Sequence, residues 1–326
     1  MTGVIVGTGS YVPSYVIDNN ELSQFVDTSD EWIRERTGVE RRHIASDETV
    51  VSMAAEAGRR AIDSAKIAPE EIDLIIVSTI SSDVILPCAA CEVQKALGAV
   101  NAVGFDLNAA CTGFVLAFNT ANAYMMSGLC KNALIIGSEC LSNLTNWKDR
   151  RTCILFGDGA GAAVLRAEEG KAFLPSAHSD GTKGAALTMK SRHDRNGITK
   201  EILPQEMIKE EYFMKMDGQA VFKFAVKKVP EVIRDVMKSN DVKQEDVSYY
   251  ILHQANRRIV EAVAKRLDEP MEKFPMNLNE YGNTSSASIP ILLDELNKKG
   301  MLKKGKLIVL AGFGAGLTWG ASIFRW

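Results

Sequence analysis

The chain has 326 residues, 46% of them hydrophobic and 24% charged, enough to bury a large core in two similar-sized α/β units. Its formal net charge of −3 argues against a general affinity for nucleic acid or anionic membrane and leaves room only for a local basic patch. Six cysteines without regular spacing point to a reducing cytoplasm and not to a disulfide framework, and no apolar stretch approaches the roughly 20 residues of a membrane span.

A strand-like run over 4–6 opens the chain with no basic segment before it, so no signal peptide is expected. Gly7-Thr8-Gly9-Ser10 has the look of a dinucleotide loop, but the third glycine is missing and Pro13 blocks the helix that should follow. Capping residues at 27–31 lead into a short helix stopped by Gly38, with Trp32 and Arg36 one turn apart. That pair is either a core Trp beside a surface Arg or an aromatic–guanidinium platform for a nucleotide base. Residues 49–65 have helical periodicity, and the continuous apolar run 72–79 predicts a buried parallel strand. Cys88 and Cys91 have CxxC spacing without the second pair a zinc site needs, and they read as two small core residues one helical turn apart.

The apolar run 102–107 ends in Asn108-Ala109-Ala110-Cys111-Thr112-Gly113, followed by a helix through Met126. A thiol at such a strand-to-helix turn lies at the positive end of the helix dipole, which favours the reactive thiolate. Ala109, Ala110 and Gly113 leave room around the sulfur for a substrate carbonyl. Far downstream stand a His in His253-Gln254-Ala255-Asn256 and an Asn in Gly282-Asn283-Thr284-Ser285. One Cys with a distant His and Asn is a nucleophile pattern whose members meet in space.

Between these lie a buried strand at 133–137, a polar loop at 143–151, and Phe156-Gly157-Asp158-Gly159, which resembles a phosphate loop. A strand pattern follows it, so its glycines are expected to permit close backbone packing. Residues 171–216 are irregular and predict loops and edge strands. An amphipathic helix is expected at 222–238, a strand at 247–252, and a helix at 256–267 with Arg258, Ala262, Lys265 and Arg266 on one stripe. A strand at 306–311 runs into the glycine-rich turn 312–320. The runs 61–77 and 232–252, 105–108 and 276–279, and 156–159 and 313–316 resemble one another, at a separation of roughly 155 to 175 residues. This repeat implies two duplicated halves with the active groups in the crevice between them.

From Gly7-Thr8-Gly9-Ser10-Tyr11 through the 27–32 segment to Gly316-Leu317-Thr318-Trp319-Gly320, with the His253 and Asn283 motifs at this spacing from Cys111, the chain resembles β-ketoacyl-acyl carrier protein synthase III. These are thiolase-fold condensing enzymes that start bacterial type II fatty-acid synthesis. Elongating synthases of this fold place a second His where this chain has Asn283, and thiolases add a second catalytic Cys. The resemblance implies an α/β thiolase-like fold in a layered αβαβα arrangement, with half 1–172 carrying the Cys and half 173–326 the His and Asn. It implies a cytoplasmic homodimer that takes an acyl group from a short acyl-CoA onto Cys111 and condenses it with malonyl-acyl carrier protein. No metal or redox cofactor is implied.

By the same resemblance His253 and Asn283 donate to the enolate, and the backbone N–H groups of Cys111 and Ala315 form an oxyanion hole. Many members have Gly at the position of Ala315. Thr28, Trp32, Arg36, Arg150, Gly218, Phe222 and Asn256 match CoA-binding positions, Trp32 and Arg150 being the adenine sandwich. Gln219 departs from the family's Asn. Lys223, Arg258, Lys265 and Arg266 match the carrier-protein docking patch. Leu86 matches the residue that closes the acyl pocket from the opposite subunit, with starters of about two to five carbons expected. The alternatives are a related synthase of quinolone or polyketide synthesis and a non-catalytic acyl-binding paralogue, which would have no reason to keep all three central residues.

Overall fold

The computed structural model describes residues 1–190 and 212–326; the 191–211 part of the irregular stretch lies outside the described residues. The first part of the chain runs through β1 (Thr2–Tyr11), β2 (Val16–Asp18), β3 (Arg41–His43), β4 (Leu74–Ser78), β5 (Val103–Leu107), β6 (Asn132–Glu139) and β7 (Gly159–Glu168). Between them stand α1 (Asn19–Leu22), α2 (Asp30–Thr37), α3 (Val50–Ala65), α4 (Ala89–Leu97) and α5 (Gly113–Met126). The second part carries β8 (Ser176–Ser179), β9 (Leu187–Thr188), β10 (Lys215–Met216), β11 (Val247–Leu252), β12 (Leu307–Gly314) and β13 (Thr318–Arg325). Its helices are α6 (Gly218–Ser239), α7 (Arg257–Leu267), α8 (Leu278–Tyr281) and α9 (Ser288–Lys298).

One sheet has the order β1-β7-β6-β4-β5 and another the order β11-β12-β13-β8. In the first, β4 is parallel to β5 and β6, while β7 is antiparallel to β6 and β1. In the second, β12 is parallel to β11, and β13 is antiparallel to β12 and β8. The order β8-β13-β12-β11 therefore repeats β1-β7-β6-β4 strand for strand, polarity included. The repeat breaks at 276–279, where the chain enters α8 in place of a counterpart to β5.

Strand alternation sorts the layers. Leu74 and Ile76 of β4 face a cluster with Phe114, Val115 and Phe118 of α5, Ile289 and Leu292 of α9, and Ile308 and Leu310 of β12. Ile75 and Val77 face the other way, onto Val50, Met53 and Ala57 of α3 and Val93 of α4. The outer face of the second sheet packs on Val229, Val232 and Ile233 of α6 and Val260 and Val263 of α7. Helices α5 and α9 are thus the middle layer of an α/β/α/β/α stack, buried because two sheets press on them.

Local chemistry sets the helix ends. Thr49 caps α3 reciprocally with Ser52, and Asp217 caps α6 by accepting from the Ala220 N–H at 3.0 Å. That cap starts α6 at Gly218, ahead of the expected residue 222. The Gly7-Thr8-Gly9 motif lies inside β1, where a Cβ on Gly9 would fall 2.3 Å from the Ala57 carbonyl oxygen of α3. Its glycines serve helix–sheet contact. Cys88 and Cys91 differ from expectation: Cys88 is half-buried and Cys91 exposed, at the start of α4 with their sulfurs 3.4 Å apart. Helix α4 turns its other face to the core, and the Asp106 carboxylate takes up its Ala89 and Ala90 N–H groups, each at 2.8 Å.

Candidate active site

Cys111 occupies the turn Ala110–Thr112 between β5 and α5. Ala110 has φ +46°, a left-handed conformation that aims the next residue away from the strand. The end of β12 closes on it so tightly that a Cβ on Gly314 would lie 2.9 Å from the Cys111 nitrogen. The helix proper starts only at Gly113. Burial pushes the Cys111 thiol up to about 12, the Ser285 hydroxyl and the Cys111 N–H pull it down, and the Glu139 carboxylate pushes it up. Desolvation thus works against the thiolate that the helix terminus favours.

His253 follows β11 and is 2% exposed. Burial lowers its proton affinity from 6.5 to about 3, so the ring is neutral. Its Nδ1 lies 2.7 Å from the Ser288 Oγ, which already accepts from the Gln254 N–H at 3.3 Å. The Ser288 hydroxyl thereby holds the Nδ1 side of the ring. Asn283 is fixed from three sides. Its Oδ1 accepts from the Ser285 N–H at 2.9 Å, its N–H donates to the Leu155 carbonyl at 2.8 Å, and its carbonyl accepts from the Gly157 N–H at 3.1 Å. Occupation of Oδ1 leaves the amide nitrogen as the group that can donate into the cavity.

Cys111, His253, Asn283 and Ala315 line a single cavity of about 790 Å³. Its wall includes apolar Leu141, Ile154, Phe156, Met189, Met214 and Met216, and also Gly218, Phe222, Asn256, Trp32 and Arg36. The Arg36 and Arg150 guanidinium carbons each stand 5.6 Å from the Trp32 ring centroid. Trp32 is half-buried against Ile33-containing core and flanked by two cations, so neither open reading of the Trp32–Arg36 pair excludes the other. Arg150 also donates to the Asp27 carbonyl at 3.1 Å; Arg150 and Thr28 are not in the cavity wall. Asn256 caps α7 through its Oδ1 and ties it to the Arg36 carbonyl at 3.0 Å.

Lys223, Arg258, Lys265 and Arg266 are exposed, and Arg258 lies over the Phe222 ring at 5.6 Å, joining α6 to α7. Leu86 is 84% exposed and outside its own chain's cavity. Among the described residues no group of three His, Cys, Asp or Glu side chains is placed to hold a metal. Sequence reasoning missed Ser285, Ser288 and Glu139. Only Glu139 carried a signal, a charge closing the apolar run of β6.

A family model described as 3-oxoacyl-[acyl-carrier-protein] synthase III matches residues 105–181, and its C-terminal companion matches 237–326. A β-ketoacyl-[acyl-carrier-protein] synthase III of Clostridium acetobutylicum is 47% identical, covering 99% of this chain and 98% of its own. The chain belongs to the β-ketoacyl-acyl carrier protein synthase III family. A Desulfitobacterium hafniense member is 49% identical over 99% of this chain and 97% of its own. The crystal structure of the synthase III from Aquifex aeolicus is 42% identical with a TM-score of 0.91, covering 99% of this chain and 100% of that one. The thiolase-like architecture of the family is the layered stack described above.

Proposed function

We propose that this enzyme starts fatty-acid synthesis by condensing a short acyl-CoA with malonyl-acyl carrier protein, releasing CO2 and giving a β-ketoacyl-acyl carrier protein. The observation that carries the reading is the meeting of Cys111, His253 and Asn283 in one cavity of about 790 Å³. In the first half-reaction the Cys111 sulfur attacks the acyl-CoA carbonyl, and the N–H groups of Cys111 and Ala315 receive the developing oxyanion. CoA leaves. In the second, malonyl-acyl carrier protein decarboxylates, and His253 Nε2–H and Asn283 Nδ2–H stabilise the enolate oxygen. A neutral imidazole suits this task, because it donates without giving up its proton. The enolate carbon then attacks the Cys111 thioester.

The CoA arm runs past Gly218, Phe222 and Asn256 to Trp32 and Arg36, with Thr28 and Arg150 at the adenine end. Support comes from the two guanidinium groups on the Trp32 ring. Lys223, Arg258, Lys265 and Arg266 receive the acidic carrier protein. The halves 1–172 and 173–326 act as units that divide the machinery, Cys in one and His and Asn in the other. The enzyme is a cytoplasmic homodimer that needs no cofactor; among the described residues no helix is long and apolar enough to cross a membrane. Intact-mass analysis after incubation with acetyl-CoA, with peptide mapping, should place one acetyl group on Cys111. Label on Cys140 or Cys153 instead overturns the assignment.

A further inference from the structure

The condensation proposed above employs one thiol, Cys111, and leaves the Cys88–Cys91 pair outside the cavity wall without a task. The pair is built into the start of α4. Cys88 is the N-cap, with extended backbone at φ −67° and ψ 155°, and Cys91 stands in the first turn. The Cys88 thiol donates to the Cys91 sulfur at 3.4 Å, which leaves about 1.4 Å between that contact and the ~2 Å of an S–S bond. Neither sulfur is committed to the helix end. Cys88 makes no side-chain cap, and Asp106 takes the Ala89 and Ala90 N–H groups that would otherwise attract a thiolate. The Cys91 thiol is pushed up by its bond with Cys88, by burial, and then by the Asp106 and Glu92 carboxylates. A pair whose thiolates are disfavoured loses little on oxidation, the reverse of dithiols that oxidise strongly because their reduced form is stabilised. Access orders the two: Cys91 is exposed and Cys88 half-buried, while the other four cysteines, Cys111 among them, are buried.

We infer that Cys88 and Cys91 form a second, redox-active thiol site, which small disulfides oxidise to an intrachain disulfide while Cys111 stays free. Exposed Cys91 attacks first. Its thiol gives its proton to solvent, its sulfur bonds to one sulfur of the small disulfide, and the other leaves as a thiolate that takes up a proton. Cys88, 3.4 Å away, then loses its own proton and attacks the Cys91 sulfur, expelling the second thiol. Two protein thiols have become one disulfide and one small disulfide has become two thiols, so electrons and protons balance. The site stands whether or not the chain condenses acyl groups. Its consequence for that activity is protection, because an oxidant is consumed at the surface pair before it reaches the buried nucleophile.

Treating the native protein with oxidised glutathione, then unfolding it in N-ethylmaleimide for peptide mapping, tests this. The peptide carrying Cys88 and Cys91 should lose two hydrogens and take no maleimide, whereas the other four cysteines should all be labelled. Cys88→Ser should stop at a glutathione adduct on Cys91. Cys91→Ser should react at least about tenfold more slowly, because its remaining thiol is half-buried. Wild type that keeps a glutathione adduct on Cys91 without closing the bond overturns the inference. So does a pair that reacts only after unfolding in urea. That result would mean that Cys91, whose sulfur lies 3.9 Å from the Gly104 carbonyl of β5, is covered by a second copy. Glutathione on Cys111 ahead of Cys91 overturns it as well, since the nucleophile would then be the oxidant's first target.

Discussion

At the scale of single residues, His253 and Asn283 line the same cavity as Cys111, and the task proposed for them is to stabilise the enolate, not to act on the nucleophile. Replacing either by Ala is expected to slow decarboxylation of malonyl-acyl carrier protein by about 10²–10³, while Cys111 still takes an acyl group. An Asn283→Ala enzyme that decarboxylates normally but cannot be acylated would reverse the assignment. Burial also ties His253 to acid stability. Its affinity falls from 6.5 to about 3 on folding, so the unfolded chain binds the extra proton first. The contribution is complete above pH 6.5 and is lost as pH falls through that window toward 3. Urea midpoints between pH 7 and 4 should therefore drop more steeply in wild type than in His253→Gln. Parallel curves would mean that the ring is not desolvated. Cys111 makes the complementary point about legibility: its position at a strand-to-helix turn could be read locally, whereas the burial that raises its thiol to about 12 could not. Ser285 was invisible for a different reason, since a non-glycine residue at φ +50° carries no sequence mark.

At the scale of elements, α7 presents an apolar face of Ile259, Val260, Val263 and Leu267 to the core and turns Arg258, Lys265 and Arg266 outward. Exposed charges on one helix face affect association rate and salt dependence more than stability. Arg258→Glu should weaken use of malonyl-acyl carrier protein, most at low salt, and leave acetylation by acetyl-CoA near normal. If carrier-protein kinetics do not change at low ionic strength, the stripe is an ordinary solvated face. Strands such as β4 and β11 were readable because sheets covered on both faces demand continuous apolar runs. Strand β13 was not: Thr318-Trp319-Gly320-Ala321-Ser322 reads as the tail of a glycine-rich turn. Only pairing with β12, from Leu307–Arg325 to Gly314–Thr318, makes it a strand. The start of α6 was missed because a single Asp217 side chain decides it.

At the scale of the molecule, β5 is the last strand of its sheet among the described residues, and Val103 on it is 65% exposed. Ile85 and Leu86, also in the first half of the chain, are 69% and 84% exposed. An open sheet edge and apolar side chains left in water are a liability unless something covers them. A second copy meeting this one edge to edge would cover both, and it would explain why Leu86 lines no cavity of its own chain. Sedimentation should accordingly give a dimer. The expectation that Leu86 reaches the partner's acyl pocket would then make its side-chain volume the limit on the starter. Each methylene accommodated or refused is worth only about 1–3 kcal/mol, so the limit should be graded. Against a panel of acyl-CoAs, wild type should favour starters of about two to five carbons, branched ones included. Leu86→Ala should extend the range, and Leu86→Phe should confine the enzyme to acetyl and propionyl groups. A dimer whose chain-length profile ignores both changes would leave Leu86 as interface cover alone, with the limit set from within the chain by the apolar wall of Leu141, Phe156 and Met214.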